Sequence, residues 1–210
     1  MRIERLFLMG AGGQGKVALD AFRLVHPDAA VEVRDDDVAK EGADFLGLAV
    51  RTPIAGFDAR GASCHVSIGD NPTRARIALE LERAGCGLVT IVHPRGIVAA
   101  GARIDRGAFV AAGAVIAPDA RVGAGAIVNH LAIVDHDCVV GDWCHIAPGV
   151  VLGGEVTIGA GCLLGSGAVV LPGVRIGDAA VIGAGAVVTR DVADGAKLAG
   201  IPAKDLNERR

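Results

Sequence analysis

Residues 122–152 read VGAGAIVNHLAIVDHDCVVGDWCHIAPGVVL, and an aliphatic side chain returns at every sixth position: Val122, Val128, Val134, Val140, Ile146 and Leu152. Worked outward, the series is unbroken from Ile104 through Val110 and Ile116, and on through Ile158, Leu164, Val170, Ile176 and Ile182 to Val188. Four residues after each aliphatic stands a small or β-branched one, as at Ala114, Ala126, Cys138, Cys144, Val150 and Cys162. Glycines recur in phase with them, at Gly123, Gly141, Gly153, Gly159, Gly165, Gly177 and Gly183. A fixed internal period decides the architecture before any local signal does. Six matches neither an amphipathic helix nor a plain strand. It fits short strands that turn every six residues, three to a triangular coil, with the aliphatic inside and the small residue near a corner. Glycine then serves corners that need a positive φ or a close backbone approach. Coils stacked as parallel strands about 4.8 Å apart make a prism roughly 20 Å tall. Such arrays need capping at both ends, and the N-terminal region and the tail after Thr189 are the natural caps.

The 210 residues leave room for two small domains, and 51% hydrophobic residues suffice for a sizeable core. Nowhere do eighteen uncharged apolar residues run together, so no membrane span is expected. The opening Met1-Arg2-Ile3-Glu4-Arg5 lacks a signal peptide's long apolar stretch and cleavage site. A formal charge of −3 with 3% aromatic residues argues against nucleic acid, which wants a basic face and stacking rings. Of five cysteines, Cys138, Cys144 and Cys162 occupy the small-residue position of a hexad. They read as reduced core fillers, and the protein as cytoplasmic.

Upstream of the hexads the pattern alternates strand and helix. Strands are expected over 3–9, 30–34, 64–68 and 88–92, and helices from Lys16 to about Val25 and from Pro72 to about Arg83. This makes a small Rossmann-like parallel α/β sheet. Gly10, Gly12 and Gly15 satisfy G-x-G-x-x-G between a strand and a helix, with acidic residues about 20 positions on. Glycines there admit a phosphate to the helix N-terminal amides. A domain of about 90 residues is small for a full dinucleotide fold. A nucleoside diphosphate group is the preferred ligand, with a dinucleotide or a structural tight turn as the other readings. Asp35 and Asp36 end a strand, where open α/β sheets bind ligands. Arg74, after the Gly69-Asp70-Asn71 turn, is either a phosphate contact or a solvated helix residue.

Taken together, the two halves resemble the bacterial sugar acetyltransferases of the sialic-acid O-acetyltransferase type, hexapeptide-repeat enzymes that include N-acetyltransferases for nucleotide-linked bacillosamine and perosamine. The likeness rests on Gly10-Ala11-Gly12-Gly13, Asp35-Asp36, Ile68-Gly69-Asp70-Asn71, Val134-Asp135-His136-Asp137-Cys138 and Gly200-Ile201-Pro202-Ala203-Lys204. It implies a nucleotide-sugar-binding α/β domain over 1–92, a left-handed parallel β-helix over 93–198 and a cap over 199–210. The handedness comes from the resemblance, since general chirality rules favour right-handed crossovers. The resemblance further implies acetyl-CoA as cosubstrate, no metal, a nucleotide-linked amino sugar as acceptor, and a homotrimer with active sites between subunits. The catalytic pair falls on His136 and Asp137. The acceptor's contacts fall on Gly10, Gly12, Gly13, Gln14, Asp35, Asp36, Gly69, Asn71, Arg74, Asn129 and Asp135. Coenzyme contacts fall on His145, Gly153, Gly154, Gly165, Gly183, Ala184, Pro202 and Lys204. Gln14 departs from the histidine that many members carry in the first glycine loop.

The chemistry asks for little. An acetyl thioester is already activated, so a base near neutrality must take the amine proton and donors must meet the oxyanion. His136, two residues after the inward Val134, should stand near a corner and point outward. Asp137, or failing it Asp135, can fix its tautomer, as in a catalytic triad. His145 is read as touching the thioester carbonyl or the coenzyme arm, or else lining the trimer interface; Gly153-Gly154 supply a close-approach amide or a routine corner. Three rival functions remain: O-acetylation of a sugar such as sialic acid, a non-catalytic nucleotide sensor, and a zinc hydratase of the γ carbonic anhydrase type. The last would use His130, His136 and His145, but His130 lies one strand before His136 at the same hexad position and should project from a different prism face.

Overall fold

The computed structural model describes residues 3–206. The first part of the chain forms β1 (Arg5–Met9), α1 (Gly13–Val25), β2 (Ala30–Arg34), β3 (Asp44–Phe45), β4 (Leu48–Arg51), β5 (Ser63–Val66), α2 (Asn71–Arg83) and β6 (Gly87–Leu88). The sheet order is β3-β4-β2-β1-β5-β6, parallel except for the β3–β4 hairpin. Side chains of β1 alternate between two cores. Leu6 and Leu8 pack with α1, whereas Phe7 and Met9 pack with α2. A strand covered on both faces reads as a continuous apolar run. Helix α2 starts where Asp70 accepts from the Thr73 N–H at 2.9 Å and Pro72 sits in the first turn. Two features depart from expectation. The hairpin, turned at Leu46-Gly47 with both φ positive, has strands of only two and four residues and a turn that lies among apolar residues. The expected strand 88–92 is split: Gly87–Leu88 pairs with β5, and Ile91–Val92 pairs with Phe109–Val110 of the prism.

The prism consists of two-residue strands on three faces. The outward positions of the first face are Ile91, Phe109, Ile127, His145, Leu163 and Val181. Those of the second are Ile97, Val115, Ile133, Val151, Val169 and Val187, and those of the third are Arg103, Arg121, Val139, Thr157 and Arg175. From Ile91 to Val188 each strand pairs in parallel with the one 18 residues on, as in Ile127↔His145 and Val134↔Leu152. This is a parallel β-helix, consistent with the expected left-handed winding. Of the inward aliphatics, Val110 through Val188 are at most 2% exposed. Ile104 is only half-buried, because its strand is the edge of the third face. The register extends upstream to Val98 and Val92, each paired into the stack, so coiling begins two hexads before Ile104.

The corners separate the two uses of glycine. Positive φ recurs at every sixth residue from Gly107 to Gly185, and six of those corners carry other residues: Asp119, Leu131, Asp137, Trp143, Glu155 and Ala179. The glycines that directly follow the aliphatics serve close approach instead. A Cβ on Gly141 would lie 2.6 Å from the Gly159 backbone. At the far end Lys197–Ala199 pairs with Val181–Ile182, and Lys204–Asp205 folds back antiparallel as a cap.

The sheet domain sits on the first face. Phe109, Ile127 and Ile91 share one core with Leu6, Leu8 and α1. His65, wholly buried, hydrogen-bonds the Val89 carbonyl at 2.8 Å and stands edge-on to Phe109; burial lowers its pKa to about 4. Cys64 and Cys86 are disulfide-bonded, a pairing the hexad pattern gave no reason to expect, while Cys138, Cys144 and Cys162 are free and buried in the prism.

Candidate active site

His136 stands at the corner between the second and third faces, in the turn that follows Ile133–Val134. Its Nδ1–H donates to Asp137 Oδ2 at 2.8 Å, and its backbone N–H donates to Asp135 Oδ1 at 2.7 Å. Asp137 holds a left-handed φ of 59°, which turns its carboxylate back onto the ring. Asp135 therefore braces the backbone while Asp137 orients the imidazole. The ring lies over Gly154, where a Cβ would come within 2.5 Å of Cε1 and Nε2. Gly154 thus belongs to this corner. The Asp137 hydrogen bond, then the fields of Asp135, Asp137 and Glu155, hold the His136 pKa above its ordinary value. With Nδ1 carrying the proton toward Asp137, the neutral ring leaves Nε2 free to accept one.

The second half of the site lies at the carboxyl ends of β1, β2 and β5. Gly12 begins α1 with no side-chain cap and no acid in the first turn, and a Cβ on Gly12 or Gly13 would meet nothing within 4 Å. The helix N-terminus is therefore open, with the partial positive charge that favours an anion. Gly10 and Gly15 are used for packing: a Cβ on Gly15 would strike the Gly10 carbonyl at 2.1 Å. Asp35 Oδ2 accepts from the Ala11 N–H at 2.7 Å and from Lys40 at 2.9 Å. Burial acts to raise its pKa, but hydrogen bonds from Asp37, Lys40 and Ala11 prevail and lower it. Lys40, absent from the sequence-based site, is brought there by the short 3-10 turn Val38–Lys40. Asp36, exposed, holds the Ile54 N–H with Oδ1.

Two expected substrate contacts prove to be rivets between domain and prism. Arg74 is 1% exposed. Its guanidinium donates to the carbonyls of Ile68, Gly69, Gly125, Trp143 and Cys144 and to Asn71 Oδ1. No donor is left for a phosphate, and burial lowers its pKa to about 10. Asn71 Nδ2 donates to the Gly161 and Cys162 carbonyls. The sequence marked both residues by their place in and after the turn, but their partners in the prism lie 51 to 91 residues away.

His145 is half-buried on the first face. Asn129 turns its Oδ1 to the His130 N–H at 2.9 Å, so its Nδ2 faces His145 Nε2 at 3.3 Å. Nε2 then accepts, and Nδ1–H points at the Gly69 carbonyl at 3.4 Å. Burial, with Arg74 nearby, lowers the His145 pKa and keeps the ring neutral. His130 is at the corner between the first and second faces, away from that of His136. Among the described residues no three His, Cys, Asp or Glu side chains converge as a metal site.

The remaining coenzyme positions line the coils beyond His136. Gly153 packs on Pro172, Gly165 on Ala184, and Gly183 beside Ala199. Pro202 follows a cis peptide bond, and Lys204 is exposed on the capping strand. A Cβ on Gly167 or Gly185, at the corner between the first and second faces, or on Gly173, at the corner between the second and third, would meet nothing within 4 Å.

The chain matches the PglD N-terminal domain family over residues 5–81, the GMPPB C-terminal domain family over 82–172 and the six-repeat bacterial transferase hexapeptide family over 155–190. PerB from Caulobacter crescentus, solved in complex with CoA and GDP-perosamine, is 35% identical, with a TM-score of 0.86 over 95% of this chain and 96% of that one. The chain belongs to the hexapeptide-repeat sugar N-acetyltransferases. The acetyltransferase domain of PglB from Neisseria gonorrhoeae, solved with acetyl coenzyme A, is 32% identical, with a TM-score of 0.88 over 97% of this chain and 100% of that domain. WeeI from Acinetobacter baumannii is 25% identical, with a TM-score of 0.89 over 96% and 99%. No curated protein sequence matches the chain. Membership covers both halves of this N-acetyltransferase, and no helix among its described residues is long and apolar enough to cross a membrane.

Proposed function

We propose that the protein transfers the acetyl group of acetyl-CoA to the amine of a nucleotide-linked amino sugar, as a cytoplasmic homotrimer. The observation that carries this is the open Nε2 of His136, held by Asp137, on a chain similar along its length to PerB, which was solved with CoA and GDP-perosamine. As the amine attacks the thioester carbonyl, a C–N bond forms and the C–S bond breaks. His136 Nε2 takes the amine proton and returns it to the departing thiolate. Asp137 stabilises the imidazolium between the two transfers. Asn129 and the neutral His145 hold the Gly69 carbonyl, and with it the acceptor crevice, against the first face.

The geometry also supports a shared site. The crevice lies on the first face, and the corner of His136 is the one opposite that face. A single subunit therefore keeps its base and its nucleotide crevice on opposite sides of the prism. The second face is free of the sheet domain and presents an unbroken aliphatic column from Ile97 to Val187. Packing three such columns around a threefold axis brings His136 of one subunit beside the crevice of the next.

The test is thioester turnover with a panel of GDP- and UDP-linked 4-amino sugars. Release of CoA thiol with at least one of them is expected, and turnover confined to a hydroxyl acceptor such as sialic acid overturns the reading. Mixing subunits tests the sharing. His136→Ala and Gly12→Val should each be inactive, while a refolded equal mixture should regain about one quarter of parent activity by random assortment in a trimer. No recovery, or sedimentation as a monomer at micromolar concentration, removes the shared site.

A further inference from the structure

Among the described residues two side-chain polar atoms are buried with no hydrogen-bond partner, Gln14 Nε2 and Ser67 Oγ. A buried unpaired polar group is costly, and such groups in native structures call for an explanation. Poor local packing does not supply one. Other polar side chains of the domain and its docking surface, Arg74, Asn71, Asn129 and Asp35, all have their partners.

The two orphans are linked through two successive backbone contacts. The Ser67 carbonyl lies against Gly10, where a Cβ would come within 2.9 Å of it, and the Gly10 carbonyl lies against Gly15, the residue after Gln14. Ser67 is 2% exposed, and its N–H extends the ladder to the Met9 carbonyl at 2.7 Å. Cys64 and Val66 face α2. Strand alternation therefore puts Ser67 with His65, on the side of α1 and the prism. The two orphans thus adjoin the open N-terminus of α1, between the nucleotide crevice and the Gly69–His145 contact.

We propose that Ser67, working with Gln14, is a substrate-binding residue that hydrogen-bonds the sugar-proximal phosphate of the nucleotide-linked acceptor. This rests on the nucleotide-sugar reading above. A hydroxyl and an amide N–H are donors, suited to an acceptor-rich phosphate. Rotation of both side chains toward the uncapped helix end brings them to the anion that the helix amides attract. The phosphate then repairs two unsatisfied groups on binding, and it lies where the attached hexose can extend toward the first face of the prism.

This makes stability and affinity move in opposite senses. Ser67→Ala removes an unsatisfied buried hydroxyl, so the melting temperature without added nucleotide should equal or exceed that of the parent. Its Kd for GDP or UDP, whichever stabilises the parent, should rise about tenfold, as for loss of a hydrogen bond to a charged group. The KM for acetyl-CoA should not change. Gln14→Met, which keeps the volume and removes the amide, should behave in the same way. Ser67→Ala binding the nucleoside diphosphate as tightly as the parent, or melting several degrees lower without it, overturns the proposal alone. A parent that binds neither GDP nor UDP overturns the nucleotide reading and this proposal with it.

Discussion

The prism and the sheet domain satisfy their backbones in different ways. In the prism every coil repeats the same bonds to the next, such as Ile127 N–H to the Cys144 carbonyl at 2.8 Å and His145 N–H to the Cys162 carbonyl at 2.8 Å. A residue's surroundings then follow from its place in the hexad. The domain is tied to the prism by single residues with distant partners, above all Arg74 and Asn71. A periodic solenoid spreads its specification over many equivalent positions, whereas the docked domain concentrates it in a few that no period marks.

The sharpest break of this comparison is at adjacent residues. Val140→Asp should prevent folding, because an unpaired charge in the apolar prism costs several kcal/mol. Val139→Asp, one residue away on the third face and 38% exposed, should fold and melt like the parent. Equal behaviour of the two by circular dichroism would show the hexad register to be wrong.

At the proposed catalytic corner, His136→Ala should lower kcat by roughly 10² to 10⁴, the range for losing a general base, with little change in either KM. Asp137→Asn should show a smaller loss. In the proposed mechanism the neutral imidazole is the active form, and its pKa is raised. The kcat/KM profile should therefore climb with pH to a midpoint above an ordinary histidine's, and Asp137→Asn should move that midpoint down. A loss under threefold in His136→Ala would reduce His136 to a positioning role.

Domain docking should depend on Arg74 more than on any prism position facing it. Arg74→Met leaves several buried carbonyls unsatisfied and should cost about 4 kcal/mol. Arg74→Lys should not restore it, since an ammonium lacks the planar fork. Trp143, the sole tryptophan, lends its carbonyl to Arg74, so its fluorescence should report undocking before the coils melt. One coincident transition in Arg74→Met would mean the domain and prism unfold as a unit.

The smallest effect is a response to acid. His65 is neutral in the fold with a pKa near 4, while the unfolded chain binds a proton near 6.5. Stability should fall as pH drops from 6.5 toward 4, by about 3 kcal/mol in all. His65→Leu should flatten that slope in urea titrations; an unchanged slope would assign it to other groups.

Much of the fold was legible in the residues themselves. The hexads located the prism, and strand-like and helix-like runs located most of the sheet domain. The hairpin around Leu46-Gly47 was missed because its strands are only two and four residues long and its turn lies among apolar residues. The hexad series was started at Ile104, although Val98 and Val92 continue it upstream in phase and pair into the stack. The candidate site was legible in part. Asp-His-Asp at a predicted corner is a local arrangement, and the structure shows the Asp137 carboxylate on the His136 ring. Lys40 and Ser67 carried no signal, since a lysine in a turn and a serine after a strand acquire meaning only from what packs beside them.

The sequence by itself determined the triangular prism, its inward residues and the outward corner of His136, because a strict period of six leaves one way to bury the aliphatics. Only the tertiary structure decided that Arg74 and Asn71 spend their donors on prism carbonyls, that burial lowers the His145 pKa, and that His136 and the proposed nucleotide crevice lie on opposite sides of one subunit. Those outcomes depend on which prism face receives the sheet domain. That choice is made by contacts between residues 51 to 91 positions apart, such as Arg74 with Gly125 and Asn71 with Cys162, and no local spacing encodes it.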